Sequence, residues 1–257
     1  MFYSKNPVFS EKSIVKAEVL QENVLYPMRM FEHLYADYTD GIVTGVRLQA
    51  KDTDELLLSP GIIKYQGRLY HMEESACVEF EHNNRMNYLK IRFDNGERTS
   101  DGELFHTQVL LTNEETCFPY EMELGRFFTE AGARLIDHAQ HFEDFFIEHN
   151  HIDVRYVPYS VRTEATISPE ITVAFARDML QKQEKGEADI CFCMQCLRKE
   201  PVDREIICAY ISAKTGRPVA KMNNAQMCEA LLSILKKGRT MVAERQTFRE
   251  RRSIIVD

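Results

Sequence analysis

The feature that most constrains the fold is a run of short alternating segments between residues 41 and 112, separated by turn residues. Alternation with a period of two places successive side chains on opposite faces, which is typical of β-strands. Strands are predicted at residues 42–48, 55–58, 62–65, 68–72, 76–81, 87–93 and 105–111. Ser59-Pro60-Gly61 and Gln66-Gly67 supply the backbone angles that tight turns need. The run therefore predicts a small sandwich-like or barrel-like antiparallel β module.

The pattern changes to helical spacing near Pro119. Apolar residues three and four apart predict amphipathic helices at 121–130 and 131–147, the latter with an aromatic face. Ser168-Pro169-Glu170 is a helix start, because serine caps the helix and proline suits its first turn. Further helices are predicted at 203–212 and 224–236, and a short strand at 152–156. The aromatic residues indicate either the core of this half or a docking face.

The N-terminal 25 residues show little hydrophobic periodicity. Residues 1–25 predict an extended arm, and residues 27–37 predict a short helix with Pro27 in its first turn. The fold class that follows is α+β, with an N-terminal antiparallel β-rich module followed by a mainly helical half. The division is an arm and short helix at 1–40, the β-rich module at 41–115, the mainly helical region at 116–237 and a basic C-terminal tail at 238–257.

Composition and charge narrow the function classes. No stretch reaches the roughly 18 consecutive apolar residues of a membrane span, and seven cysteines fit a reducing compartment. We therefore expect a cytoplasmic protein, or one that a larger particle incorporates. Residues 1–150 hold 26 acidic and 14 basic residues, whereas residues 236–257 hold three acidic and seven basic ones. The acidic body argues against wrapping nucleic acid, and the basic end is either a solvated tail or a contact for an acidic partner.

Four cysteines carry the strongest chemical signal. Cys191, Cys193 and Cys196 are close in sequence, and Cys208 follows. Four thiolates can close a tetrahedral zinc site. Structural zinc sites usually bring two Cys-x-x-Cys pairs, however, and this group has only one. Since free cysteine behaves as a small apolar residue, the pattern favours buried thiols over metal.

The histidines form a second group. His138 and His141 are three residues apart on a predicted helix, and His149 and His151 follow among several acidic residues. A histidine and carboxylate metal site is one interpretation, but there is no His-Glu-x-x-His arrangement, which favours a solvated surface. The chain also lacks a Gly-x-Ser-x-Gly elbow and a phosphate-binding glycine loop. We therefore expect no enzyme activity and no cofactor.

The turn residues of the β-rich module carry a resemblance. The pattern reads Gly-Ile-x-x-Gly from Gly41, Ser-Pro-Gly-Ile from Ser59 and Gly-Arg-Leu-Tyr from Gly67. It resembles tail and baseplate-associated proteins of bacteriophages and of phage-like contractile particles. Residues 123–127 are similar to the segment that follows the module in some of them. The resemblance covers residues 41–72 and implies a small β module that attaches fibres or neighbouring subunits.

Three hypotheses follow. The first is a structural subunit of a phage tail-like or contractile injection particle, whose partners are other subunits or, in a homo-oligomer, further copies of itself. The second is an intracellular zinc-binding regulator that uses Cys191, Cys193, Cys196 and Cys208, with the basic tail as its nucleic-acid contact. The third is a metal-dependent hydrolase that uses His138 and His141.

Overall fold

Short strands fill the first half of the chain. The fold is described from a computed structural model, which covers residues 16–99, 102–116, 119–219 and 221–237. The strands are β1 (Gly41–Gly45), β2 (Leu48–Ala50), β3 (Glu55–Leu58), β4 (Gly61–Tyr65), β5 (Arg68–Met72), β6 (Ala76–Glu79), β7 (Met86–Phe93), β8 (Glu97–Thr99), β9 (Gly102–Leu104), β10 (Thr107–Thr112) and β11 (Glu121–Phe128). All the paired strands are antiparallel. Helices dominate the second half, so the α+β class is confirmed.

Three three-stranded sheets build the β-rich part, in the orders β1-β4-β5, β2-β3-β6 and β10-β7-β11, and β8 and β9 form a separate hairpin. The inner faces of the three sheets share apolar cores. Tyr65 of β4 stacks on Phe93 of β7 with ring centroids 3.8 Å apart, and Tyr70 of β5 meets the same ring edge-on. The alternation seen in the sequence becomes one-sided burial in β3 and β6, whereas β7 and β11 are buried on both faces.

Residues 121–128 form a strand, so the helix predicted at 121–130 is wrong. β11 pairs with β7 along its whole length, inside the region that was predicted to be mainly helical. The pairing register shifts between Glu123 and Gly125, which is a β-bulge. Met122, Leu124 and Phe127 consequently all reach the core, although their spacing is two and then three. That mixed spacing imitates a helical pattern.

The helix predicted at 131–147 is also wrong. Only a 3₁₀ helix at Phe142–Phe146 forms there. Gly132 has a φ of +79°, which turns the chain out of helical geometry. The backbone of Ile136 bonds instead to Asn150 and Ile152, so this segment runs beside residues 150–153 as isolated bridges. The strand predicted at 152–156 is reduced to one bridge, between Asp153 and Arg126.

The helices are α1 (Ala17–Leu34), α2 (Pro169–Leu180), α3 (Glu187–Cys196) and α4 (Arg204–Thr215), and a further helix, α5, is described over residues 224–237. The start predicted at Ser168 is confirmed, since its side chain accepts a hydrogen bond from the Glu170 N–H at 3.2 Å. The helices predicted at 203–212 and 224–236 are likewise present. No pattern had predicted α3.

The aromatic residues of the second half belong to its core. Phe142 meets Phe175 edge-on, and Phe192 of α3 stacks on Tyr210 of α4 at 4.2 Å between centroids. Phe142, Phe175 and Phe192 are buried among apolar residues of α2 to α5. Of the aromatic residues between 121 and 147, Phe127, Phe142 and Phe145 are buried and Phe128 and Phe146 are half-buried. The core interpretation is therefore confirmed for the first three.

The first helix is longer and begins earlier than the sequence predicted. Residues 17–25 are helical rather than extended, and Pro27 lies inside α1 rather than in its first turn. Residues 1–15 and the basic tail at 238–257 lie outside the described residues. The division of the chain into domains stays a prediction.

Candidate protein-interaction surface

The glycines of the sequence motif meet in the sheet β1-β4-β5. Gly45 and Gly61 are register partners on adjacent strands. A Cβ atom on Gly61 would overlap the carbonyl oxygen of Thr44, and one on Gly45 would overlap that of Pro60. Gly45 also has a φ of +70°, in the left-handed region. The two backbones therefore touch in a way that only glycine allows, and this contact joins β1 to the start of β4.

The two faces of this sheet have different neighbours. Ile63 and Tyr65 point into the β core. Because side chains alternate along a strand, Ile62 and Lys64 point to the opposite, outer face. Leu69 of β5 lies beside Ile62 on a groove at that outer face.

Lys64 fixes the end of α1 on the outer face. Only 4% of this lysine is exposed. Its Nζ donates hydrogen bonds to the carbonyl oxygens of Tyr35, of Ala36 at 2.9 Å and of Tyr38 at 2.6 Å. Carbonyls at a helix C-terminus lack intrahelical donors, and a cation there also matches the helix dipole. Lys64 thus clamps the turn that follows α1 to β4.

The rest of α1 exposes apolar side chains. No residue of the helix is buried. The exposed fractions are 55% for Leu20, 63% for Val24, 54% for Phe31 and 62% for Leu34. Successive positions are four, seven and three residues apart, so they lie on one helix face. A contiguous apolar face in contact with water marks a surface that another molecule covers.

A groove of about 780 Å³ lies between α1 and the outer face of the sheet. Its apolar walls are Met28 and Phe31 on the helix and Ile62 and Leu69 on the sheet. The guanidinium of Arg68 lies 3.8 Å from the ring centre of Phe105 at its border. A mostly apolar groove with a few charges at the edge is the usual composition of a protein-docking site. We call the exposed face of α1 and this groove together the α1 surface.

A smaller apolar patch lies on the helical half. Ile190 and Met194 of α3 and Leu197, the residue that caps its C-terminus, follow one another at helical spacing, and all three are exposed. Ile206 at the start of α4 is exposed as well. A cavity of about 360 Å³ lies between Ile206 and Tyr38.

The four candidate zinc ligands do not meet at one point. Cys191 is exposed, Cys193 and Cys196 are buried in the helical core, and Cys208 is half-buried. Residues two apart on a helix point about 200° away from each other, so Cys191 and Cys193 face opposite sides of α3. Burial raises the pKa of Cys193 to about 11 and that of Cys196 to about 12, which disfavours thiolates. The zinc hypothesis loses its basis, because the cysteines pack as apolar residues.

The histidines pair separately with different acidic residues. His138 Nδ1 lies 3.2 Å from Asp137 Oδ1, His141 Nδ1 lies 3.1 Å from Asp178 Oδ1, and His149 Nδ1 lies 3.0 Å from Glu130 Oε1. Burial lowers the pKa of His151. Within the part of the chain that the structure describes, no three His, Cys, Asp or Glu side chains converge on one point. The hydrolase hypothesis therefore gains no support.

The buried charges serve the fold. Asp189 is 2% exposed and accepts hydrogen bonds from Tyr210 at 2.7 Å and from Lys214 at 2.9 Å. Burial raises the pKa of Asp189, but the hydrogen bonds from Lys214, the Gly186 N–H and Tyr210 outweigh burial, so the net pKa is lowered. In the β-rich part, Lys90 and Glu121 form a buried ion pair of 2.7 Å between β7 and β11. Both sites cross-link neighbouring elements.

No protein-family model matches the chain, and no curated protein sequence is similar to it. Solved structures with some likeness are TssK proteins. One is a chain of the type VI secretion TssK-TssF-TssG baseplate subcomplex, at 9% identity and a TM-score of 0.45, covering 91% of this chain and 98% of that one. Another is TssK of the EAEC type VI secretion system bound to a nanobody, at 9% identity and a TM-score of 0.47, covering 85% and 96%. Values this low carry no argument about function.

None of the helices in the described ranges combines the length and the apolar character that a membrane crossing requires. The sequence predicts only part of this apolar face. The helix predicted at 27–37 holds Phe31 and Leu34, whereas Leu20 and Val24 lie in the segment predicted to be an extended arm. Proline usually marks the start of a helix, so the predicted helix begins at Pro27, although α1 begins at Ala17.

Proposed function

We propose that this chain is a structural subunit of a phage tail-like or contractile injection particle, associated with its tail or baseplate. It acts through contacts with other subunits, and the proposed role involves no catalytic step. The cell makes it in the cytoplasm and incorporates it into the particle. The observation that carries the proposal is the α1 surface, built on the same sheet whose turn residues resemble those of such particles.

The energetics of the α1 surface favour a bound partner. Each Å² of apolar surface removed from water contributes roughly 25 cal/mol. Leu20, Val24, Phe31 and Leu34 keep more than half of their surface exposed, and the groove beside them is open. Subunits of a particle bury such surfaces permanently, because their neighbours are always present.

The attachment of α1 at its C-terminal end supports a role in assembly. Lys64 fixes one end of the helix, and the contact of Gly45 with Gly61 fixes the strand that carries Lys64. A docking surface on a fixed support loses little conformational freedom on binding. The TssK proteins with some likeness also belong to a baseplate, but the proposal rests on the residues of this chain.

Co-purification tests the proposal. A tagged full-length chain is expressed in its own host, particles are sedimented, and the sheath and tube fractions are analysed by quantitative mass spectrometry. We expect the chain in the particle fraction at a constant ratio to the sheath protein. A chain that stays in the supernatant while sheath and tube sediment would refute the proposal.

A variant of the groove sharpens the test. Leu69→Glu puts a charge on the apolar wall of the groove and is expected to lower the amount in particles at least about 10-fold, because an unpaired charge would be buried. Arg85→Glu adds the same side chain at an exposed position in the loop before β7 and is the matched control. Equal incorporation of the two variants would show that the groove is not the contact.

A further inference from the structure

The two edges of the sheet β1-β4-β5 differ in their backbone partners. At the β1 edge, the Ile42 N–H donates to the Pro158 carbonyl at 2.9 Å, and the Ser160 N–H donates to the Ile42 carbonyl at 2.8 Å. β5 is the last strand on the other side. Among the described residues, no strand or bridge pairs with its outward edge. A strand edge of this kind is a template on which another extended chain pairs.

The turn that joins β4 to β5 sets the hydrogen-bond pattern of β5. Gln66 and Gly67 are its two central residues, and their φ values of +46° and +78° are those of a two-residue hairpin turn. The residues that flank such a turn, Tyr65 and Arg68, form a hydrogen-bonded pair. The pairing continues without a bulge along the whole of β5. Every second residue from Arg68 onward therefore bonds to β4.

The two residues in between turn their backbone groups outward. Leu69 and His71 belong to the non-hydrogen-bonded pairs of the hairpin, so the N–H and C=O groups of both point to the free edge. Within the ranges that the structure describes, no other group bonds to these N–H and C=O groups. They recur at about 7 Å along the strand, which is the repeat of the hydrogen-bonded pairs in an antiparallel ladder. The edge thus presents two complete bonding positions to an added strand.

The groove beside this edge has room for the side chains of such a strand. Because the side chains of Leu69 and His71 lie on the outer face, the residues opposite them on an added strand would also face outward. There they would meet Met28 and Phe31 of α1, which form the facing wall of the groove of about 780 Å³. A partner strand therefore needs apolar residues at every second position. An α-helix does not meet the requirement of the edge, because its backbone groups already bond within the helix.

The charge at the border of the groove selects an acidic residue on the partner. Arg68 begins β5, and its guanidinium lies over the ring of Phe105. No carboxylate of the described residues pairs with this guanidinium. In an antiparallel addition, the C-terminal end of the partner strand lies beside the start of β5. An acidic residue at that end would neutralise Arg68.

We propose that β5 accepts an extended segment of a partner protein as an additional, antiparallel strand of the sheet β1-β4-β5. The segment carries apolar residues at alternate positions and an acidic residue at its C-terminal end. The backbone groups of Leu69 and His71 hold the segment in register, and the groove beside α1 holds its apolar side chains. This inference rests on the proposed function and specifies how a neighbouring subunit is bound.

The binding of a synthetic peptide tests the inference. The peptide is acetyl-Thr-Leu-Thr-Leu-Thr-Glu-amide with a fluorescent label, and fluorescence anisotropy with the full-length chain measures its dissociation constant. When its two Leu residues lie opposite His71 and Leu69, their N–H groups donate to β5 and the Thr N–H groups point away. Methylation of both Leu nitrogens is expected to weaken binding at least about 10-fold, because two hydrogen bonds are lost. Methylation of the second and third Thr nitrogens is the matched control and is expected to change the dissociation constant less than about 3-fold.

A variant of the chain removes one outward N–H from the edge itself. His71→Pro is expected to fold, because proline is tolerated on an edge strand and this N–H takes no part in the pairing with β4. Circular dichroism checks the fold. The variant is expected to bind the peptide at least about 10-fold more weakly than the wild-type chain. His71→Ala keeps the N–H, and this matched control is expected to bind like the wild-type chain.

Two results would overturn the inference. One is the absence of binding at about 1 mM peptide, and the other is equal binding of the two methylated peptides, since apolar docking alone does not need the backbone groups. A chain that enters particles but binds no peptide would refute this inference and leave the proposed function standing. A chain that binds the peptide as expected but stays out of particles would refute the proposed function alone.

Discussion

At the scale of single residues, the contact of Gly45 with Gly61 determines what each position accepts. Gly61→Ala is expected to lower the free energy of unfolding by about 3 kcal/mol, because its Cβ would overlap the carbonyl oxygen of Thr44 and backbone cannot move aside cheaply. Gly67→Ala has free space around it, and its φ of +78° alone costs about 1–2 kcal/mol. Urea unfolding of the two variants measures the difference. Equal losses of stability in the two variants would mean that the close approach of β1 and β4 does not require glycine at position 61.

Asp189 provides the second prediction at this scale. The pKa of its carboxyl is lowered in the folded state. Its contribution to the free energy of unfolding is therefore complete above the pKa that this carboxyl has in the unfolded chain, and it is lost as pH falls through the folded pKa. Asp189→Asn is expected to destabilise the protein by about 2 kcal/mol at neutral pH. Urea unfolding should show this deficit shrinking as pH falls below about 4, where an aspartate of the unfolded chain takes up its proton. Asp52→Asn, in an exposed turn, is the control, and a deficit that stays constant with pH would contradict the assignment.

At the scale of the element, Lys64 determines how firmly α1 is attached. Lys64→Met removes the donor of three carbonyl groups and is expected to cost about 2–3 kcal/mol. The loss should be local, so hydrogen exchange is expected to accelerate at residues 31–38 more than in β7. Lys51→Met is the control, because that lysine pairs with Glu55 at the surface and should cost less than about 1 kcal/mol. Unchanged exchange at residues 31–38 would rule out the clamp.

The same scale shows what could be predicted from the sequence. Strands β3 to β7 were predicted to within about two residues, because glycine and proline mark their ends and alternation marks their faces. β11 was missed because its bulge changes the spacing of Met122, Leu124 and Phe127. A bulge depends on the partner strand, which a single sequence does not reveal. The contacts of Lys64 could not be predicted either, because they also depend on a segment that is distant in the chain. Its acceptors are backbone groups 26 to 29 residues away.

At the scale of the whole molecule, the thiols report on the helical core. Burial raises the pKa of Cys193 to about 11 and the pKa values of Cys196 and Cys228 to about 12. In the native protein at pH 8, we expect alkylation of these three to be at least about 1000-fold slower than that of exposed Cys77 and Cys191. Peptide mass spectrometry over time gives the rates. Rapid labelling of Cys193 or Cys196 would contradict the packing of α3.

Because Lys64 is buried, the rate of its acylation reports how often the end of α1 detaches from the sheet. Acylating reagents modify a lysine only through its free amine, and the three carbonyl groups hold this amine out of reach. Its modification must therefore wait until the turn after α1 lifts off β4. The rate at which Lys64 is acetylated thus measures how often the helix detaches. Comparing that rate in the isolated chain and in assembled particles would show whether assembly locks the helix in place.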